Sequence, residues 1–129
     1  MIRFQTYIFL VTGILIALTS CSPKPTIKVP AEFESGQNNF HRVCANCHGV
    51  DALGKQTRAP GLIDPEYLSK NFSDEEMYTQ IIEGSDKMRS QRSKVSDPEV
   101  AEIIKYIRYS QKAADLIVDE DESDEDEDQ

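Results

Sequence analysis

The sequence predicts an all-α fold, a small domain of three to four helices, on three observations. Two stretches carry the Ser-x-x-Glu pattern that closes a helix N-terminus: Ser73 with Glu76, and Ser96 with Glu99. Val100, Ile103, Ile104 and Ile107 fall at the i, i+3, i+4 and i+7 spacing of one helix face. No segment alternates apolar and polar residues in the manner of a half-buried strand, and no hairpin turn is signalled.

Taken in order, the first helix is predicted from Ser35 to Ala45, with Phe40 and Val43 as its apolar residues. Asp64 and Pro65 then offer an N-cap followed by a proline at the first helical position, the start of a short turn. The next helix begins at Ser73, carries Met77, Ile81 and Ile82, and stops at Gly84. The last starts at Ser96 with Pro98 in its first turn. Met77 is in step with Ile81, so it reads as core.

The chain has 129 residues, room for one small domain. Its two ends stand apart from that domain. Residues 7–18 form an apolar run behind a single Arg3, too short for the ~20 apolar residues of a comfortable membrane span. They fit the basic flank and apolar core of a signal peptide over residues 1–20. The run ends in LTSC, residues 18–21, which resembles the lipobox of bacterial lipoproteins. That resemblance implies cleavage before Cys21 and a lipid on its thiol. Residues 21–33 hold three prolines after Cys21 and no apolar period, and read as a semi-extended tether. Such a tether reaches roughly 35–40 Å at about 3.1 Å per residue. At the other end, residues 115–129 include DEDESDEDED, nine acids and one serine, which cannot bury a core and is expected to stay disordered. The net charge is −9; removing Arg3 and then these nine acids leaves the remainder near −1. The folded part, residues 34–114, is thus almost neutral, and no nucleic-acid partner is expected. At some 80 residues, it sits near the size at which a protein core alone gives little net stability. A staple is called for: a disulfide, a metal or a large cofactor.

CANCH, residues 44–48, is the candidate staple. A thioredoxin-type redox pair belongs beside a βαβ pattern, which is missing here. A structural zinc needs four ligands. Cys21 is assigned to the lipid, and His41 is the only other histidine. Cys-x-x-Cys-His is also the attachment pattern of c-type haem. Two cysteines about one helical turn apart meet the two vinyl groups of one haem edge, and the next residue lies under the iron.

From these residues the chain resembles the small class I cytochromes c, over about Ser35 to Ala114. Gly36 and Phe40 match the small residue and aromatic of that family's first helix, which crosses the last helix near Tyr106 and Ile107. CHG at 47–49, Gly54, and APGL at 59–62 match its haem motif and following loop. EVAEIIKYIR at 99–108 matches its closing helix. The resemblance implies a cytochrome c fold packed around one covalently bound haem c with its iron. Cys44 and Cys47 attach the haem, His48 is an axial ligand, and the Pro60 carbonyl holds the His48 ring by its other nitrogen. It places the distal ligand in the loop before the last helix, where Met88 stands, with Arg89 in place of the family's usual proline. That replacement puts the loop's rigidity in question. Arg58 is a candidate partner for a haem propionate, and equally a surface arginine. His41 reads as an exposed helix residue.

His and Met ligation leaves no open position on the iron and raises its potential relative to two histidines. The expected function is that of a membrane-tethered, single-haem electron carrier rather than an enzyme, serving redox protein partners in a bacterial cell envelope. The alternative is a haem-based sensor or binder of small gases in which Met88 is displaced. Lys87, Arg89, Arg92 and Lys94 make the Met loop basic, a rim that would steer an acidic partner. The acidic tail is expected either to fold back on that rim and compete with the partner, or only to keep the protein soluble or repel an anionic surface.

Overall fold

The structure is a computed structural model that describes residues 23–55 and 59–116. Among these residues four helices follow in order: α1 (Ala31–Val43), α2 (Ala45–His48), α3 (Asp74–Glu83) and α4 (Asp97–Ala113), with 3-10 turns at Val50–Ala52 and Pro65–Tyr67. Among the described residues there is no strand, only an isolated bridge between Gly84 and Arg89. None of the described helices is long and apolar enough to cross a membrane.

Helix α1 begins at Ala31, before the predicted Ser35. Its N-cap is Pro30, which offers no side-chain bond, and Glu32 and Glu34 supply the acids that suit a helix N-terminus. The extra turn is held by a long-range contact: Phe33 stacks on Tyr109 of α4, ring centroids 4.2 Å apart. At the other end, Cys44 breaks the helix, and α2 resumes as a single turn through His48.

The core forms where α1 crosses α4. A β-carbon on Gly36 would lie 2.0 Å from the Glu102 carbonyl oxygen and 2.8 Å from the Tyr106 β-carbon, so the two backbones approach only because the residue is glycine. Beneath the crossing, the Phe40 and Tyr106 rings sit 5.5 Å apart, and Val100, Ile103 and Ile107 complete the buried layer. Helix α3 closes the side with Met77 and Ile81, both buried, in agreement with the reading of Met77 as core. Its capping box is complete: Ser73 N–H donates to Glu76 Oε2 at 2.8 Å, and Glu76 N–H donates to Ser73 Oγ at 3.2 Å. In α4, Ser96 N–H donates to Glu99 Oε2 at 2.8 Å.

Two fastenings lie outside the helices. Arg108 donates to the carbonyls of Tyr67 and Phe72, each at 2.6 Å, and to Asp74 Oδ1 at 2.7 Å. Beside it, the fully buried Gln111 donates to the Leu62 and Tyr67 carbonyls at 2.9 and 3.0 Å. Together they clamp the irregular segment 62–72 to the end of α4. At the N-terminal side, part of the expected tether lies against the domain: Val29 is buried, Gln37 Nε2 donates to the Ile27 carbonyl at 2.7 Å, and Thr26 N–H donates to Asp51 Oδ2 at 3.0 Å.

Candidate functional site

The CANCH residues sit on the turn where α1 gives way to α2. Cys44 N–H donates to the Phe40 carbonyl at 2.7 Å, and Cys47 and His48 N–H both donate to the Cys44 carbonyl at 3.0 Å. One helical turn therefore separates the two thiols, which puts them on the same side. No disulfide joins Cys44 to Cys47. Cys44 is buried, and burial followed by the neighbouring Cys47 pushes its thiol up to about 12, so it stays protonated and is a poor nucleophile for thiol exchange. Among the described residues no group of three or more His, Cys, Asp or Glu is placed to hold a metal ion.

The loop after the motif folds back to orient His48. Gly49 takes φ 82°, and a β-carbon there would lie 2.1 Å from the Gly54 carbonyl oxygen. Gly54 N–H donates to the His48 carbonyl at 2.7 Å, and Leu62 N–H donates to the Ala52 carbonyl at 2.7 Å. This closure brings the Pro60 carbonyl to 2.9 Å from His48 Nδ1. A carbonyl only accepts, so Nδ1 carries the proton and Nε2 presents a lone pair. An imidazole fixed in this way is prepared to bind a metal through Nε2.

Met88 comes from the loop between α3 and α4. The loop lacks the proline that would stiffen it, and hydrogen bonds take its place. Ser85 N–H donates to the Met88 carbonyl at 2.7 Å, and Met88 N–H donates to Ser85 Oγ at 3.2 Å. Ser90 Oγ donates to the Ile82 carbonyl, and Gln91 N–H donates to the Ile81 carbonyl at 2.9 Å. The Met88 side chain is half-buried against the core that includes Cys44, Ala45 and Ala52. Serine at position 85 is thus a supporting residue the sequence reading passed over; its place directly after the helix-ending Gly84 was the available signal.

Of the predicted basic rim, Arg92 pairs with Asp97. Lys94 contributes its carbonyl to Arg42, which also holds Glu99 at 2.7 Å. Lys87 and Arg89 are exposed. Arg58, Cys21 and the acidic tail lie outside the described residues.

The reading of His41 as an exposed helix residue is overturned. It is 3% exposed, with Nδ1 at 2.7 Å from the Gln37 carbonyl and Nε2 accepting from Asp51 N–H at 3.1 Å. Gln37, Phe40, His41 and Cys44 follow i, i+3, i+4, i+7 spacing, and that stripe, mixed in polarity, is why a search for apolar residues alone missed it. A cleft of about 930 Å³ between the start of α1, α3 and α4 is lined by Phe33, Tyr78, Ile104 and Tyr109 among others, and none of the CANCH residues lines it.

The residues fit a covalently attached haem. Two thiols share one side of a turn, an imidazole is aimed by its far nitrogen, and a thioether is held in a braced loop on the same core. Such a turn at the end of the first of a few packed helices defines a c-type cytochrome domain. The chain belongs to the family described as cytochrome c oxidase, cbb3-type, subunit III, whose family model matches residues 31–107. A comparison with curated proteins gave no match. Haem-based electron transfer is the activity of such domains, with haem c and its iron as the cofactor.

Proposed function

We propose that the protein is a membrane-tethered carrier of single electrons with one haem c. Cys44 and Cys47 hold the haem by thioether bonds, and His48 and Met88 are its axial ligands. The bound haem supplies a one-electron iron couple. The chain supplies the rest: it orients His48 through Pro60, braces Met88 through Ser85 and Ser90, and packs Met88 against the core that holds Cys44. The observation that carries the reading is the 2.9 Å contact between His48 Nδ1 and the Pro60 carbonyl, which leaves Nε2 for the iron. The braced Met loop favours a filled sixth position, hence a carrier rather than an enzyme or a gas binder.

Cys21 is the proposed lipid site, and the protein faces the periplasm or outer side of a bacterial envelope membrane. The family's description suggests a respiratory oxidase as the class of partner. Lys87, Arg89 and Lys94 are the cations left to steer an acidic docking surface. Absorption spectra of protein made in a host with c-type haem maturation test the core of the proposal. The oxidised form is expected to show the weak far-red band of a Met–ferric bond, and the reduced form to ignore carbon monoxide. A missing band with carbon monoxide binding turns the reading to the gas sensor. A chain without covalent haem overturns it.

A further inference from the structure

Residues 26–29 of the expected tether are held to the domain as a strap. Thr26 N–H and Oγ donate to Asp51 Oδ2 at 3.0 and 2.5 Å, Gln37 Nε2 donates to the Ile27 carbonyl at 2.7 Å, and Val29 is buried. The chain bends at Thr26 and Ile27 between these fastenings. The Ile27 side chain is nevertheless left 54% exposed.

A second exposed side chain belongs to the same place. Leu53, 64% exposed, is the other large apolar residue left open to solvent among the described residues. It follows Asp51 by two residues, behind a sharp turn in which Asp51 and Ala52 take left-handed conformations, φ 55° and 62°. The backbone is fixed on both sides of it: Leu53 N–H donates to the Val50 carbonyl at 3.3 Å, and Gly54 N–H donates to the His48 carbonyl at 2.7 Å. Single exposed apolar residues are ordinary on a protein surface. These two differ in that the hydrogen bonds from Thr26 to Asp51 join the segments that carry them.

The exposed charges around this junction have one sign. Residues 23–30 carry Lys24 and Lys28 and no acid, and residues 50–55 carry Lys55 and one acid, Asp51. All three lysines are exposed, whereas Asp51 is 3% exposed and turns its carboxylate to Thr26 and His41. The junction thus offers two apolar side chains among three cations, on a chain whose net charge is −9.

We propose that Ile27 and Leu53, with Lys24, Lys28 and Lys55, form a docking surface for an anionic phospholipid membrane, an inference that rests on the membrane-tethered reading. The proposed lipid on Cys21 is five peptide links from Thr26, so this face stays within about 18 Å of the bilayer at Thr26. A contact made on so short a lead is intramolecular, and a few weak groups suffice to hold it. Apolar side chains enter the boundary between headgroups and acyl chains, and the lysines beside them meet the lipid phosphates. The rest of the chain, being acidic, is repelled by the same surface, which selects this face. The strap is already ordered on the domain, so docking costs it little conformational freedom. Leu53 lies in the loop between His48 and Pro60, so docking also fixes how the haem site stands to the bilayer.

The test uses the mature, lipid-bearing holoprotein in vesicles of phosphatidylcholine, alone or mixed with phosphatidylglycerol. Mass spectrometry of the N-terminal peptide first establishes the lipid on Cys21; without it the tethered reading itself fails, before this one is reached. Hydroxyl-radical footprinting then reads the Ile27 and Leu53 side chains. Both are expected to react several-fold more slowly on the vesicles that contain phosphatidylglycerol. Lys24→Glu combined with Lys28→Glu changes exposed side chains only, so the fold and the haem spectrum should persist while the protection disappears. Equal reactivity on the two kinds of vesicle overturns the inference and leaves the face to a protein partner. Protection that survives in the paired lysine variant overturns it as well.

Discussion

Replacing Gly36 by alanine should destabilise the protein, although the same change in an isolated helix stabilises it. The helix preference alone favours alanine by about 1 kcal/mol. Against this stands the crossing of α1 and α4, where the new methyl would lie 2.0 Å from the Glu102 carbonyl oxygen and 2.8 Å from both the Glu102 carbonyl carbon and the Tyr106 β-carbon. Ordinary contact begins near 3.4 Å, so the helices must part by about 1.4 Å at this point. None of the three atoms is the end of a side chain that can swing aside. Parting α1 from α4 also loosens Phe40 on Tyr106, the two largest fully buried side chains. Overpacking of this kind costs about 3 kcal/mol at the upper end of its usual range. The net loss is then about 2 kcal/mol, which for a domain of this size lowers Tm by roughly 8–16 °C. Thermal melts of the haem-bearing protein, followed by far-ultraviolet circular dichroism, give the answer. A Tm equal to or above that of the wild type would refute the close approach as the feature that fixes the crossing.

Met88→Ala should leave the fold and covalent haem intact, remove the far-red band and open the reduced protein to carbon monoxide, as read by absorption difference spectra. Arg108→Ala removes the charged donor from the Tyr67 and Phe72 carbonyls and should cost about 3 kcal/mol in urea unfolding. The backbone N–H and hydroxyl of Ser73 hold the Glu76 carboxyl below its ordinary 4.5. A lowered folded value means that its contribution is present above pH 4.5 and is lost as pH falls below it, so stability should drop on acidification and Glu76→Gln should blunt that drop in acid melts.

What the sequence disclosed and what it hid divide along a physical line. Helices α3 and α4 were legible because their signals are local: a serine, a glutamate three residues on, and an apolar face. The start of α1 was not. Its first turn leans on Phe33 against Tyr109, a contact across most of the domain, and its N-cap is a proline that announces nothing. The cytochrome reading came from residues 44–48, where chemistry dictates spacing. The loop that aims His48 is held by bonds such as Leu62 N–H to the Ala52 carbonyl, which leave no pattern in the residue types. His41 was misread because polar residues in a helix usually face water, and here the partner that buries it arrives from a left-handed turn ten residues away.

The strap that ties Thr26 to Asp51 changes how far the domain roams. As a free tether, residues 21–33 would let it sweep a hemisphere of roughly 35–40 Å radius. With the chain pinned at Thr26, the proposed lipid on Cys21 is five peptide links from the domain, a lead of at most about 18 Å. The accessible volume shrinks with the cube of that length, by roughly tenfold. A partner inside the smaller sphere meets the protein at a correspondingly higher local concentration, and one outside it is never met at all. With the proposed lipid in place, the domain would be moored like a boat on a short line, its berth chosen by the length of four residues, and its partners would have to come alongside.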